Sequence, residues 1–176
     1  MYLTHFGLAE FPFNLTPDTA FSFASGTQRE ALDALRVAVD LGEGFVKVVG
    51  EVGTGKTLTC RRFIASQPER TVTAYLPNPS LAPRGLMTGL AAELGISAPG
   101  RLGVTALRER IERKLLQHAA AGRGVVVCLD EAQTMPDDAL EQLRLLSNLE
   151  TEKSKLMQVV MFGQPELDRR MARDSL

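Results

Sequence analysis

Neither charge of one sign nor a long apolar run is available to this sequence. Its 176 residues hold 20 Lys and Arg against 21 Asp and Glu, a formal net charge of −1. That balance excludes a long-range field gathering nucleic acid or acidic lipid, while leaving room for a local patch. No stretch approaches the roughly 20 apolar residues of a membrane helix. The opening MYLTHFGLAEFPF lacks the basic lead and continuous apolar stretch of a secretory leader. Only two cysteines are present, Cys60 and Cys128, far apart and inside apolar segments. They read as small buried hydrophobes rather than a disulfide or metal pair, which fits a reducing cytoplasm. The two histidines, His5 and His118, have no Cys, Asp or Glu at ligand spacing and are assigned no role. Repeats and low-complexity tracts are missing. What remains, at 44% hydrophobic residues, is enough for one ordinary core.

The first 26 residues are rich in turns and rings: Phe6, Phe11, Phe13, Phe21 and Phe23, with Pro12 and Pro17 breaking any helix. They read as a segment that packs its rings on a neighbouring surface, ahead of a core over 27–176. Thr27-Gln28-Arg29-Glu30 has the form of a capping box and opens an amphipathic helix through Leu32, Leu35 and Val39, stopping near Gly42. FVKVV at 45–49 and TVTAYL at 71–76 predict strands, each followed by a helix, the second over about 82–94 and closed by Gly95. Leu107, Ile111, Leu115 and Leu116 mark the inner face of a helix ending at Gly122. VVVCLD at 125–130 predicts a fully apolar strand with an acid at its carboxyl end. Asp137 or Asp138 then caps a helix through Leu140, Leu143, Leu145 and Leu146. LMQVVMF at 156–162 is the fourth strand, and Pro165 opens a last helix. Strands alternating with helices in this way predict an α/β fold with a parallel sheet covered on both faces.

Gly50-Glu51-Val52-Gly53-Thr54-Gly55-Lys56-Thr57 satisfies the P-loop pattern, with an apolar strand before it and a helix after. Glycines let the backbone curl so that successive N–H groups form an anion nest at a helix start. Lys56 can then reach the β- and γ-phosphates, and the Thr57 hydroxyl can ligate Mg²⁺. Asp130, delivered to the carboxyl edge by its strand, stands where a Walker B acid holds the metal, and Glu131 can polarise the attacking water as general base. These two strands are expected to be neighbours. Gln164, after VVMFG, is the candidate for sensing the γ-phosphate. Asn148 is a second choice, better read as a helix cap. Arg169, Arg170 and Arg173 are candidate arginine fingers, though solvated positions suit them better. Phe6, Phe11 and Phe13 could border the adenine. The predicted cofactors are ATP and Mg²⁺, bound by Gly50 through Leu58.

With these motifs in place, the chain resembles the AAA+ ATPases of the general secretion pathway protein A and MSHA pilus biogenesis type, the MSHA branch most closely. The resemblance spans essentially the whole sequence. It rests on MYLTHFGLAEFPFNLTPD, on GEVGTGKT followed by Leu58-Thr59-Cys60-Arg61, on AYLPNPSL, on LDEAQTMPDDALEQLRLLSNLET, and on QVVMFGQPELDRR. It implies a P-loop NTPase of AAA+ type, a three-layer sandwich with sheet order 5-1-4-3-2. It also implies ATP hydrolysis, homo-oligomeric action, and assistance to assembly of a secretion or pilus apparatus, in the cytoplasm or peripherally at the inner membrane. Carried over by position, Lys56 and Thr57 fall in Walker A, Asp130 and Glu131 in Walker B, and Gln164 beside sensor 1. The family pattern continues into a fifth strand and a helical lid that this sequence lacks, so the strand at 45–49 is expected to form an apolar sheet edge.

Two other readings are open. One is a nucleotide-gated binding module with little turnover. The other is a DNA-associated ATPase of transposition type, because DEAQ is similar to a helicase motif; the absence of a following Ser-Ala-Thr and the slightly acidic charge oppose it. A transporter ATPase would carry an LSGGQ-like segment, and none is present.

Overall fold

The computed structural model describes residues 2–9, 11, 26–97, 102–152 and 154–173. Helix α1 (Tyr2–Phe6) and helix α2 (Gly26–Asp40) precede strand β1 (Phe45–Val49) and helix α3 (Lys56–Ala65). Strand β2 (Thr71–Leu76), α4 (Pro83–Glu93) and α5 (Val104–Ala120) follow, then β3 (Gly124–Leu129) and a 3-10 turn, Ala132–Thr134. The described chain closes with α6 (Asp137–Ser147), β4 (Gln158–Gly163) and α7 (Pro165–Arg173).

The four described strands form one parallel sheet in the order β1-β4-β3-β2. That is the implied order, with β1 at the edge. Strand β4 therefore lies between β1 and β3, which the motif reading takes as neighbours; both are apolar runs in sequence that suit either arrangement, and their spacing along the chain carries no pairing information. Side-chain alternation divides the core in two. Val126 and Cys128 of β3, with Val160 and Phe162 of β4, pack under α2 and α3 through Leu32, Leu35, Cys60 and Phe63. Val125, Val127 and Leu129, with Val159 and Met161, face α4, α5 and α6 through residues such as Leu90, Ile111 and Leu143. A sheet between two helical layers is the P-loop NTPase sandwich.

Helix boundaries mostly agree with the sequence signals. Gly42, Gly95 and Gly122 all take positive φ just past helix ends, where a left-handed residue closes the last turn. Three local readings are corrected. Helix α2 already includes Gly26 and Thr27, so Thr27 is a first-turn residue and not the cap. The N-cap of α6 is Pro136 without a side-chain bond; Asp137 lies inside the helix and pairs with Arg170, and both acids still suit the helix's positive end. Leu116 is 52% exposed, and buried His118 takes the inner face one turn on from Leu115. In the leading segment, Tyr2 meets Phe6 at a tilt with centroids 5.1 Å apart and stacks on Phe11 at 6.3 Å, and all three rings are exposed. Phe13, Phe21 and Phe23 lie outside the described residues.

Candidate functional site

The glycine loop leaves β1 at its carboxyl end. Gly50 N–H donates to Gly163 O at 3.1 Å, extending the pairing of β1 and β4 into the loop. Gly53 and Gly55 both have φ near +82°, which a side chain would penalise. A Cβ on Gly50 would stand 2.9 Å from Thr54 Oγ1, so the loop closes tightly there. Thr54 Oγ1–H donates to Glu51 O at 2.8 Å. Residues Glu51 to Thr54 are exposed. Lys56 folds back over the loop, its Nζ donating to Gly50 O at 2.7 Å and Glu51 O at 2.8 Å. The ammonium is thus held within the loop's own curve.

Thr57 and Asp130 arrive from different layers. Cys60 of α3 and Cys128 of β3 lie in the same buried cluster; the neighbouring Cys128 thiol and burial push the Cys60 thiol far above its ordinary range. Both cysteines are buried and free, as expected of small core residues, yet they meet in space. From this contact Thr57 is three residues back along α3, about 4.5 Å of helix rise. Asp130 is two residues on from Cys128, about 6.6 Å along the strand and on the same face. Both displacements run toward the carboxyl edge, which puts the start of α3 and the Asp130 turn at the same end of the sheet.

Asp130 is only 3% exposed, and its bonds are long: Glu131 N–H at 3.1 Å to Oδ1 and Tyr75 O–H at 3.4 Å to Oδ2. Burial, and then the Asp130 charge, push the Tyr75 hydroxyl up. A nearly buried carboxylate with weak neutral partners fits a cation at its free edge. A hydroxyl and one carboxylate are also the donor set that magnesium takes when phosphate oxygens and water complete its shell. Among the described residues, no cluster of three or more His, Cys, Asp and Glu could hold a metal by itself.

Glu131 has φ 53°, the one positive φ among described non-glycine residues. Thr134 fixes this turn by donating both N–H and Oγ1–H to Glu131 O, at 3.0 and 2.8 Å. The carboxylate accepts from Gln133 Nε2 at 2.7 Å and from Gln164 Nε2 at 3.5 Å. Gln164 therefore does stand beside Glu131. Asn148 is the exposed C-cap of α6, as its better reading held. Arg169 pairs with Glu166, Arg170 turns inward to Gln133 and Asp137, and the side chain of Arg173 is outside the description.

A cavity of about 410 Å³ adjoins the loop, lined by Thr27, Gln28 and Ala31 of α2 together with Val48, Val49, Thr54, Lys56 and Thr59. Gln28 Nε2–H reaches Thr54 O at 3.3 Å. The start of α2 thus borders the loop. Gln28, Tyr75 and Gln133 were missed from sequence; polar residues at a helix start, in a strand and after an acidic pair carry no pattern that separates them from solvated ones.

A family model described as AAA domain matches residues 39–171. General secretion pathway protein A of Aeromonas hydrophila is 43% identical over 169 residues, which make up 96% of this chain and 31% of that protein. The chain thus spans less than a third of that relative's length. Among solved structures, Drosophila ORC bound to DNA is similar with a TM-score of 0.65 at 17% identity, covering 88% of this chain and 43% of that one. Cdc6p from Pyrobaculum aerophilum gives 0.61 at 19% identity, over 85% and 43%. The ORC2 protein of Aeropyrum pernix, in ADPNP–ADP complexes, gives 0.57 at 16% identity, over 85% and 43%. At such identities the likeness is one of fold.

Proposed function

Because this chain belongs to the AAA domain family, we propose that its glycine loop binds ATP with Mg²⁺ and that the neighbouring acidic pair hydrolyses it. The observation that supports this most is that the exposed glycine loop, with Lys56 folded over it, and the nearly buried Asp130 stand at the same carboxyl end of the sheet. In this reading the amides from Gly50 to Leu58, by way of Glu51, Val52, Gly53, Thr54 and Gly55, cradle the phosphates. Lys56 exchanges two carbonyl acceptors for phosphate oxygens. Thr57 and Asp130 would hold the magnesium ion, whose charge neutralises the phosphates when bound. Glu131 takes a proton from the attacking water, and Gln164 orients the same region. The cavity beside α2 receives the nucleoside. Residues 27–176 form the ATPase core, with 1–26 as an appended segment.

The name of the Aeromonas relative supports a role in secretion, and we extend it to assembly of a secretion or MSHA-type pilus apparatus by a homo-oligomer at the cytoplasmic face of the inner membrane. No described helix is long and apolar enough to cross a membrane. The reading is tested by titrating the chain with a fluorescent ATP analogue, with and without Mg²⁺. Lys56→Ala should weaken binding about 10- to 100-fold, the range set by losing a charge-assisted hydrogen bond of ~1.5–3 kcal/mol. Unchanged binding would remove the site assignment. Glu131→Gln should bind normally and leave only a small residual hydrolysis rate; a binding module would behave identically before and after. A DNA-associated role would instead show duplex binding that falls steeply with salt.

A further inference from the structure

Gln133 is bound from three directions. Its Nε2–H donates to Glu131 Oε2 at 2.7 Å, and its Oε1 accepts Gln164 N–H at 3.1 Å. Its main-chain O accepts from Arg170 Nη1 at 2.7 Å, and the same guanidinium pairs with Asp137 at the start of α6. The amide also packs closely on Gly163: a Cβ there would come within 3.1 Å of Gln133 Oε1 and 2.8 Å of Leu167. One half-buried side chain therefore touches the Glu131 carboxylate and the turn between β4 and α7, while its main chain is held by α7 itself.

We propose that Gln133 is a positioning residue for hydrolysis: its side-chain amide aims the Glu131 carboxylate and ties that aim to helix α7 through Gln164 and Arg170. The proposal rests on reading Glu131 as the base. Chemistry favours an amide here, because the position must donate to a carboxylate and accept from a main-chain N–H at the same time. A carboxylate cannot donate while ionised, and an ammonium cannot accept. Both amide bonds to Glu131 end on Oε2, so Oε1 remains to receive the proton from water. The left-handed backbone of Glu131 and the two bonds from Thr134 set where its side chain starts; Gln133 sets where it ends. Without the second restraint, a flexible three-torsion side chain samples orientations in which the base misses its water, and misplacement of about 1 Å is enough to cost rate heavily. Because Arg170 holds the backbone of Gln133, a shift of α7 moves the amide and with it the carboxylate.

Gln133→Glu tests this with little change of shape. In single-turnover hydrolysis with protein in excess, it should lower the rate constant about 10- to 100-fold, the range for losing a group that orients a reacting one, and leave the affinity for ATP with Mg²⁺ unchanged. Added to Glu131→Gln, it should cost nothing further, since it acts only through that carboxylate. Wild-type rates in Gln133→Glu, or fully additive losses in the double variant, would overturn the proposal. If Glu131→Gln itself hydrolyses normally, the reading of Glu131 as base has failed instead. A readout free of turnover is the side-chain amide resonance of Gln133 in the nitrogen–proton spectrum. It should move in Glu131→Ala, and an unmoved resonance would also overturn the proposal.

Discussion

Replacing Gly55 by alanine probes the loop at the point where two constraints coincide. Its φ of 82° and ψ of 25° lie in the left-handed region, where an added Cβ costs about 1–2 kcal/mol. The same Cβ would stand 2.5 Å from Gln28 Nε2. Gln28 is a flexible chain and can withdraw, but only by giving up its 3.3 Å bond to Thr54 O, worth about 0.5–1.5 kcal/mol. The sum is about 2–3 kcal/mol. At 176 residues, each kcal/mol moves the melting midpoint by about 2–4 °C, so Gly55→Ala should melt about 4–12 °C lower in calorimetry. Nucleotide affinity should fall with it, because the amides no longer curl inward. In the Gly55→Ala background, adding Gln28→Ala should change the midpoint little, since that bond is already lost. Unaltered melting and affinity in Gly55→Ala would refute the reasoning, whatever the double variant does.

Burial, then the positive charges of Arg123 and Lys114, hold the His118 imidazole below its ordinary value of 6.5. Neither ring nitrogen has a hydrogen-bond partner among the described residues. The unfolded chain therefore takes up a proton first as pH falls: this contribution to stability is complete above pH 6.5 and declines as pH drops toward the folded value. His118→Leu should flatten that decline in urea titrations run across the range; an identical decline would refute the assignment. Lys47 is the one charged residue of the apolar edge strand β1, and its ion pair with Asp168 at 2.5 Å is about half exposed on both sides, so it adds little stability. Lys47→Val should melt within about 1 kcal/mol of the parent yet associate more readily, seen as concentration-dependent light scattering. Equal scattering would show that the edge is protected in some other way.

The frame of the molecule was legible because its signals are local and redundant. Apolar runs such as VVVCL, glycines just past helix ends, and a loop that fits one pattern all point to the same elements, and the family resemblance supplied a strand order that spacing alone could not. The acidic pair and the loop could be singled out for the same reason: each is a short local pattern bounded by a strand. What escaped was long-range. Nothing in the sequence says that Cys60 and Cys128 meet, that Gln28 reaches across to Thr54, or that Gln133 binds a neighbour two residues away and a turn 31 residues on. Thr27 and Asp137 failed as caps because a cap needs only a short polar side chain, which first-turn residues also supply. Leu116 was read inward from a spacing that α5 fills with His118 instead, a polar residue that periodicity arguments pass over.

The bond from Gly50 to Gly163 gives two loops with different duties a single root. One leads into the glycine loop and the other into Gln164 and α7, so neither can swing away without unzipping the last rung that joins them. A displacement of the glycine loop at its first residue would therefore be felt at Gly163, one residue before Gln164 and two before the start of α7.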